Sequence, residues 1–367
     1  MKYIFGIFIL LLLIPTSCST DATSKEDISD GTELESKLYF PPLTGSEWET
    51  ISMEGLKWDA SVEPALTTFL EATNTDAFLI LKNGRIVMEK YFGDFNQTTP
   101  HSWNSAAKTL TSLTVGIAQQ EGYLDIDQPS STYMGTGWSS LTTEQESNIT
   151  VRHHLTMTTG LDYGVPESAC TDKECFLYKN EPETFWYYHQ GAYTVLDNIV
   201  SGAVNQEFTS YFNSKIRNKI GMGGTWVQLN YLNLYFSPAR SMARFGLLNL
   251  NKGVWGKTPI LEDADYFTEA TTTSQNLNPS YGYLYWLNSK STYKIPGSEE
   301  LFEGKLIPNA PDDLIAGLGA FDQKMYIVPS KGLVIIRMGE SGGEDELGPT
   351  TYDNELWGYI NALIEVP

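Results

Sequence analysis

The chain has 367 residues, of which 41% are hydrophobic and 19% are charged, a composition typical of a folded globular protein rather than a disordered one. Its formal net charge is −21 and no basic stretch offsets that charge, so binding to nucleic acid or to an anionic lipid surface is excluded. A chain of this length can form one large domain or two smaller ones that share a cleft.

The N-terminal segment has the pattern of an export signal. A lysine precedes an apolar run over residues 3–14 that is too short to span a bilayer, and this pattern predicts a signal peptide over residues 1–17. The small residues before Cys18 resemble a bacterial lipoprotein processing site, although Pro15 stands where Leu is usual; a plain signal peptide cut nearby is the alternative. We therefore expect an exported protein of the bacterial cell envelope, in the periplasm or at the cell surface. Lipid on Cys18 would be its only membrane contact, and residues 18–40 would form a flexible acidic tether.

The first predicted elements of the domain are a hairpin and a long helix. Residues 76–92 form two β-rich runs around an Asn-Gly pair, the dipeptide of tight hairpin turns. Residues 102–125 carry apolar side chains at helical spacing, and Gly122 fits the C-terminal end of that helix. Residues 148–164 predict a short helix that ends at Gly160.

A loop with two cysteines follows over residues 162–184. Cys170 and Cys175 lie in the segment CTDKEC, and in an exported protein this spacing favours an intramolecular disulfide that closes a small loop. A metal site is the alternative, but no histidine or third cysteine lies at suitable spacing.

Three more helices are predicted in the middle of the chain, over residues 191–205, 210–224 and 237–253. Gly202 and Gly221 mark ends of the first two. In the third, Pro238 would occupy the first helical position, where its missing N–H has no cost.

The last third of the chain returns to strand-like segments, over residues 281–288, 324–330 and 332–339, before a C-terminal amphipathic helix. Strands at both ends with helices between them predict an α+β fold. One antiparallel sheet would be built from about 76–92 and 280–340, with a helical region of about 105–255 inserted between these segments. We expect one domain over residues 41–367, with its ligand site in the cleft between the two parts.

Two serines are candidates for a nucleophile. Ser341 lies in a Gly-x-Ser-x-Gly pentad with Gly339 and Gly343 after a predicted strand. A nucleophile elbow needs a helix directly after the serine, whereas here a loop rich in glycine and acidic residues follows. Those acidic neighbours would also oppose an alkoxide. We reject Ser341 on these grounds.

Ser105 and Lys108 form the better candidate pair because they are three residues apart at the start of a predicted helix. That spacing places both side chains on one helix face. Burial against the apolar side of the helix would lower the pKa of the lysine, so that its neutral amine can accept the serine proton. An N-capping serine beside a solvated lysine is the alternative.

The segments around this pair resemble a known family. The helix after Lys108 contains the short segments Thr-Ser, Gly-Ile-Ala and Glu-Gly, which the family also has. Further family segments are matched in order by residues 149–163, 242–255 and 281–287, with His154 in place of a usual Leu. The chain is thus similar, over roughly residues 60–365, to the serine β-lactamase and penicillin-binding-protein superfamily. It most resembles the broad β-lactamase-related hydrolases near class C enzymes, esterases and 6-aminohexanoate-oligomer hydrolases. The resemblance implies a β-lactamase/transpeptidase-like fold.

The family's second motif, Tyr-x-Asn, corresponds here to Tyr188-His189-Gln190. The resemblance implies that the Tyr188 phenol shares a proton with the Ser-Lys pair. Tyr187 is the alternative if the motif aligns one residue earlier. Gln190 stands where Asn is usual and would still donate to a substrate carbonyl. His189 would line the pocket.

The third family motif corresponds to Gly317-Leu318-Gly319 on an edge strand that lines the cleft. The resemblance implies an oxyanion hole formed by the backbone N–H groups of Ser105 and Ala320. The motif lacks the lysine that β-lactamases use for the carboxylate of the drug. That departure argues against efficient β-lactam hydrolysis and favours an esterase or an amidase.

Together these observations predict a serine hydrolase that cleaves an ester or amide bond of a small substrate through an acyl-enzyme on Ser105. No cofactor is needed, no zinc motif is present, and Trp103 is expected to wall the pocket. A catalytically weak, tethered binding or sensor protein for cell-wall peptides is the alternative. Residual β-lactamase or D-amino-acid peptidase activity and the oligomeric state stay open.

Overall fold

The protein is described by a computed structural model over residues 37–343 and 347–364. The predicted signal peptide, Cys18 and most of the predicted tether lie outside the described residues. Tyr39, at the end of the predicted tether, packs against the core and donates its backbone N–H to the Asn83 carbonyl at 2.9 Å.

The helices and strands are numbered here in chain order. The helices are α1 Glu63–Ala72, α2 Lys108–Gln120, α3 Ser131–Met134, α4 Thr143–Ser147, α5 Val151–Thr156, α6 Gln190–Thr194, α7 Leu196–Val204, α8 Phe208–Phe212, α9 Ala239–Leu250, α10 Ala264–Ala270 and α11 Thr351–Ile364. The strands are β1 Thr75–Lys82, β2 Arg85–Tyr91, β3 His101–Ser102, β4 Thr225–Leu229, β5 Leu232–Ser237, β6 Val254–Trp255, β7 Thr258–Pro259, β8 Trp286–Leu287, β9 Thr292–Tyr293, β10 Phe302–Glu303, β11 Ile315–Gly319, β12 Gln323–Val328 and β13 Leu333–Gly339.

The predicted hairpin is confirmed as β1 and β2, joined by a two-residue turn. Asn83 and Gly84 both have positive φ, 47° and 83°, as a tight primed turn requires. A Cβ on Gly84 would lie 1.9 Å from the Tyr39 carbonyl oxygen, so this position also needs glycine for space.

One antiparallel sheet of six strands, in the order β2-β1-β13-β12-β11-β8, forms the centre of the domain. β1 pairs with β13, with Ile80 opposite Ile335, so the N-terminal and C-terminal segments share one sheet and the predicted α+β fold is confirmed. Helix α9 covers one face, where Gly246 meets Val334. Helix α11 covers the other face, where Trp357 packs 5.7 Å from the Tyr326 ring.

Helix ends differ from the sequence predictions in four places. The helix predicted over residues 210–224 ends early: α8 stops at Phe212, and a π-helical segment, Asn213–Arg217, follows it. Helix α5 ends at Met157, which is left-handed with φ 62°, rather than at Gly160. Gly202 lies inside α7, where a Cβ would approach the Tyr133 carbonyl oxygen to 2.1 Å, so it serves close packing rather than helix termination. Pro238 is extended, with ψ 154°, and caps α9 from outside the helix.

The region predicted as helical also contains a small sheet that the sequence analysis missed, in the order β3-β5-β4. Its strand β3 leads directly to the turn that holds Ser105, and it pairs with β5 through His101 and Ser237. No helix of the described residues is long and apolar enough to cross a membrane.

Candidate active site

Ser105 and Lys108 lie at the start of the longest buried helix of the inserted region. Ser105 belongs to a 3₁₀ turn, Asn104–Ala107, that continues into α2. The Lys108 Nζ lies 3.1 Å from the Ser105 Oγ, so the predicted pair is within hydrogen-bonding distance. Every residue from Lys108 to Ala118 is buried, and this fixes the helix and its first turn in the core.

The surroundings of Lys108 favour a neutral amine. The side chain is buried, and burial lowers its pKa to about 7 because desolvation penalises the ammonium form. The Nζ lies 5.0 Å from the ring centre of Tyr188 and 4.1 Å from that of Tyr193. Among the described residues, no carboxylate forms an ion pair with it.

Gln190 provides the polar partner of this amine. Its Oε1 accepts a hydrogen bond from the Lys108 Nζ at 2.8 Å. An amide oxygen accepts one N–H of a neutral amine, and it carries no negative charge that would stabilise the ammonium form. The lone pair of Lys108 is then available to the Ser105 hydroxyl. The Gln190 side chain therefore contacts the Lys108 amine directly.

Tyr188, rather than its neighbour Tyr187, lies beside the Ser-Lys pair. Burial raises the pKa of Tyr188, and an interaction with the Ser105 side chain partly offsets this effect, so the phenol stays protonated at neutral pH. Tyr187 stacks instead on Tyr163, with ring centres 3.6 Å apart. The two tyrosines thus have different places, one beside the base and one in the wall of the pocket.

His189 caps the helix that carries Gln190. Its Nδ1 accepts the backbone N–H of Ala192 at 3.2 Å, and its Nε2 lies 3.2 Å from the Asp162 carbonyl oxygen. The ring is therefore the neutral tautomer that carries its proton on Nε2. Burial lowers the pKa of His189 to about 4. It lines the pocket, but both nitrogens are occupied by the backbone.

The glycines of the third motif pack against the turn that bears Ser105. A Cβ on Gly319 would lie 2.3 Å from the Trp103 carbonyl oxygen, and one on Gly317 would lie 3.3 Å from the Ala106 carbonyl oxygen. Glycine at both positions lets β11 approach the turn closely. β11 is not the edge strand that the motif predicted, because β8 lies outside it. β8 pairs with β11 only at Ile315 and Ala316 among the described residues, so this pairing does not extend to the glycine end of β11.

A cavity of about 280 Å³ opens beside Ser105. It is lined by Ser105, Tyr163, Ser168, Tyr187, Tyr188, His189, Gln190, Pro296, Gly297, Leu318, Ala320, Leu347 and Gly348. The structure thus brings Ser105, Tyr188, Gln190, Leu318 and Ala320 together, as the sequence analysis expected.

Three residues expected to line the pocket do not line it. Gly317 and Gly319 face the Ser105 turn instead. Trp103 is fully buried, and its indole Nε1 donates to the Ser237 Oγ at 2.8 Å. Its ring packs edge-on against Tyr235, with centres 5.3 Å apart. Trp103 precedes Ser105 by two residues, but its side chain points into the core behind the turn.

Sequence reasoning missed two groups of residues at the site. The first is a set of lining residues from loops without periodic signals: Tyr163, Ser168, Pro296, Gly297, Leu347 and Gly348. The second is Asn104, whose φ of 47° places it in the left-handed region directly before Ser105. An Asn at that position was the available signal, since Asn tolerates this conformation better than most residues.

The predicted disulfide between Cys170 and Cys175 is present. The loop before it packs on the helix that bears Gln190, because the Gly191 N–H donates to the Ser168 carbonyl at 3.0 Å. A Cβ on Gly191 would lie 2.5 Å from the Cys170 carbonyl oxygen. The disulfide loop therefore supports the N-terminus of α6.

Ser341 has none of the geometry of a nucleophile elbow. Its Oγ donates to the Gly343 carbonyl at 3.0 Å, in an irregular segment that follows β13. Within residues 37–343 and 347–364, no cluster of three or more His, Cys, Asp or Glu side chains is placed to share a metal ion.

An antiparallel sheet shared by both ends of the chain, with a buried Ser-x-x-Lys helix against its glycine-bearing strand, is the architecture of serine β-lactamases and penicillin-binding proteins. The chain belongs to the Beta-lactamase family, whose family model matches residues 63–356.

Known relatives agree with this assignment. The chain is 37% identical over 71 residues to the 6-aminohexanoate-dimer hydrolase of Paenarthrobacter ureafaciens, a match that covers 19% of this chain and 18% of that relative. The chain thus matches less than a fifth of the length of this curated relative.

Two solved structures share the fold. A protein proposed to be a 6-aminohexanoate-dimer hydrolase from Bacillus anthracis superimposes with a TM-score of 0.66 at 19% identity, over 88% of this chain and 89% of that chain. A proposed β-lactamase from Bacteroides dorei superimposes with a TM-score of 0.67 at 16% identity, over 84% of this chain and 99% of that one. Homologues with hydrolase names support a hydrolase.

Proposed function

We propose that the protein is a serine hydrolase that cleaves an ester or amide bond of a small substrate through an acyl-enzyme on Ser105. One observation carries this proposal: the Lys108 Nζ lies 3.1 Å from the Ser105 Oγ at the wall of a cavity, and burial lowers the pKa of that lysine to about 7. A neutral amine at this distance can accept the serine proton near neutral pH.

In the first half of the reaction, the Ser105 Oγ attacks the substrate carbonyl carbon while its proton moves to the Lys108 Nζ. The carbonyl π electrons move to oxygen and form a tetrahedral oxyanion. When the carbonyl re-forms, the bond to the alcohol or amine breaks. The Tyr188 phenol, which is protonated and beside Ser105, returns a proton to this leaving group and is reprotonated from Lys108.

In the second half, water attacks the ester carbonyl of the acyl-enzyme. Lys108 again accepts a proton, this time from the water. The second tetrahedral intermediate expels the Ser105 oxygen, which takes back the proton held by Lys108, and the acid product leaves. The same residues serve both halves because the two reactions mirror each other.

The oxyanion is proposed to bind between the backbone N–H groups of Ser105 and Ala320. Both residues line the same cavity, and the close packing of Gly319 on the Ser105 turn brings their backbones together. Fixed N–H dipoles directed at the developing charge are worth more than solvent, because they need no reorganisation during the reaction.

The substrate is proposed to be a small ester or a linear amide rather than a β-lactam. Gly317 stands where β-lactamases carry a lysine for the carboxylate of the drug, and Gln190 replaces Asn. The described residues that line the cavity are neutral when His189 is unprotonated, and most of them are aromatic, aliphatic or glycine. The name of the curated relative, a dimer hydrolase, is consistent with this class.

The test is labelling of the purified protein with a fluorophosphonate probe, followed by peptide mass mapping. We expect one adduct on Ser105, lost in Ser105→Ala, much slower in Lys108→Ala and unchanged in Ser341→Ala. An adduct on Ser341 would overturn the proposal. A folded protein that reacts with no probe and hydrolyses no p-nitrophenyl ester would instead support a tethered binding protein.

Export and lipidation at Cys18 are proposed as well, on the N-terminal pattern and on the presence of a disulfide, which persists in oxidising compartments. Metabolic labelling with a palmitate analogue should mark the wild-type protein and not Cys18→Ser. Equal labelling of both proteins would contradict this proposal.

A further inference from the structure

We propose that Asn104 is a positioning residue that sets the spacing of the two N–H donors of the oxyanion hole. This inference rests on the proposed acyl-enzyme mechanism. It concerns a side chain outside the Ser-Lys-Tyr group that touches both Ser102, before the nucleophile, and Ala320, at the end of β11.

The oxygen end of the Asn104 amide stabilises the unusual backbone at the nucleophile. Asn104 has φ 47°, a left-handed conformation that costs an L-residue about 1–2 kcal/mol. Its Oδ1 accepts the Ser102 hydroxyl at 2.7 Å, and its own N–H donates to the Ser102 Oγ at 3.1 Å. These two bonds hold residue 104 in place and thereby set the direction in which the peptide N–H of Ser105 points.

The nitrogen end of the same amide reaches across to the other donor. The Asn104 Nδ2 donates to the Ala320 carbonyl at 2.9 Å, over a separation of 216 residues in sequence. The same carbonyl also accepts from the Gln323 Nε2 at 3.3 Å. The two amides hold the peptide that follows residue 320, and the tight packing of Gly319 on the Ser105 turn holds the backbone that precedes it. The Ala320 N–H lies between these two fixed points and has little freedom to turn.

Residues 320–322 form the turn between β11 and β12, and this turn is also held to the sheet. Phe321 and Asp322 both have positive φ, 59° and 60°. The fully buried Arg337 donates from Nη1 to both of their carbonyls, at 3.0 and 3.1 Å. Arg337 therefore holds the turn to β13, while Asn104 holds it to the nucleophile. The rigid sheet and the Ser105 turn are connected through one amide side chain.

The chemistry of the site explains why an amide suits this position. Asn combines an acceptor and a donor, and it tolerates positive φ. Asp would retain the acceptor but place a second oxygen against the Ala320 carbonyl, and Gly would retain only the backbone conformation. Two donors must both lie 2.7–3.1 Å from one oxyanion. A misplacement of about 1 Å can cost about a hundredfold in rate.

The experiment compares wild-type protein with Asn104→Gly. Glycine accepts φ 47° without strain, so this change removes the amide and keeps the fold. The matched control is Asn205→Gly, which makes the same change at an exposed residue with φ 49° at the end of α7. Steady-state hydrolysis of a p-nitrophenyl ester gives kcat and KM. Inhibition by a trifluoromethyl ketone, whose hemiketal oxygen occupies the oxyanion hole, gives Ki.

We expect Asn104→Gly to lower kcat about 10- to 100-fold and to raise Ki by a similar factor. KM, the thermal midpoint and the midpoint of the pH profile should stay close to wild type, as should every parameter of Asn205→Gly. Wild-type kinetics in Asn104→Gly would overturn the inference. A loss of kcat together with a clear drop in the thermal midpoint would also overturn it, because that combination indicates a structural role.

Two further outcomes separate this inference from the proposed function. If wild type neither hydrolyses esters nor reacts with the fluorophosphonate, the proposed function itself fails, whatever Asn104 does. If Asn104→Gly does not fold, Asn104→Asp gives the test, because it keeps the side-chain shape and the acceptor for Ser102. It should fold and lose kcat without a matching change in KM, and unchanged kcat in that variant overturns the inference.

Discussion

The pH dependence of catalysis tests the central property of the site, the neutral Lys108. Burial lowers its pKa from 10.5 to about 7, and only the neutral amine can accept the serine proton. The neutral fraction is then about a tenth at pH 6 and about nine tenths at pH 8, so kcat/KM should rise about tenfold between these values and level off above them. A lysine that titrates at 10.5 would give about a hundredfold rise over the same interval.

The assay is kcat/KM for a p-nitrophenyl ester from pH 5 to 10, corrected for the rate without enzyme. One other group could produce a limb at the same pH, because burial also raises the pKa of Asp197 to about 7. The Asp197→Asn variant separates the two, and its limb should stay near pH 7. Burial lowers the pKa of His189 to about 4, below the range in question.

A rate that still rises tenfold per pH unit at pH 9 would refute the argument, because Lys108 would then be an ordinary lysine. Loss of the limb in Asp197→Asn would assign it to the carboxyl group.

The pKa of Lys108 also predicts how the stability of the fold depends on pH. The folded pKa is below the unfolded value, so the unfolded chain binds more protons between about pH 7 and 10.5, and stability rises with pH across that window. Below pH 7 the buried ammonium lowers the free energy of unfolding by its full amount, roughly 5 kcal/mol. Lys108→Met should therefore be more stable than wild type at pH 6, as measured by urea denaturation.

Three other substitutions, one of them with a control variant, test separate parts of the structure. Gln190→Glu places a carboxylate 2.8 Å from the base. It should raise the pKa of Lys108 and move the limb of the pH profile upward by about one to three pH units; an unmoved limb would mean that the side chain has left the amine. Lys324→Met leaves two fully buried aspartates without their cation and should cost about 3–5 kcal/mol in urea denaturation. Lys90→Met, at a partly exposed ion pair, should cost below about 1 kcal/mol, and equal losses would contradict this reasoning. Cys175→Ser opens the disulfide and should lower the free energy of unfolding by about 2 kcal/mol, as expected for a short loop; no change under non-reducing conditions would show that the loop is held by packing alone.

The sequence predicted the parts of the site that depend on local geometry. A helix places residues three apart on one face, so the spacing of Ser105 and Lys108 was enough to bring them together. The hairpin followed from an Asn-Gly pair for the same reason. The α+β fold followed from the strand-like segments at both ends of the chain, and the family resemblance identified Tyr188, Gln190 and Ala320 in regions where local patterns are weak.

The parts that were missed depend on the direction of a side chain or on contacts between distant loops. Trp103 is next to Asn104 in sequence, but the left-handed backbone at Asn104 turns the chain, so that Trp103 points into the core while Ser105 faces the cavity. Tyr163 and Leu347 reach the cavity from irregular segments, where no periodicity indicates which face is buried.

The unfavourable features of the site are concentrated within five residues. Asn104 has left-handed backbone, and Lys108 is buried without a counter-ion among the described residues. Asn104 lies just before helix α2 and Lys108 begins it. Residues Lys108 to Ala118 are all buried, and the burial of that helix can offset the combined cost of several kcal/mol. The two features also depend on each other's position. In the proposed mechanism the left-handed residue directs the Ser105 N–H toward the oxyanion, and the first turn of the helix places the amine 3.1 Å from the Ser105 hydroxyl. Replacing the buried lysine by an apolar residue should therefore gain stability below pH 7 while it loses rate.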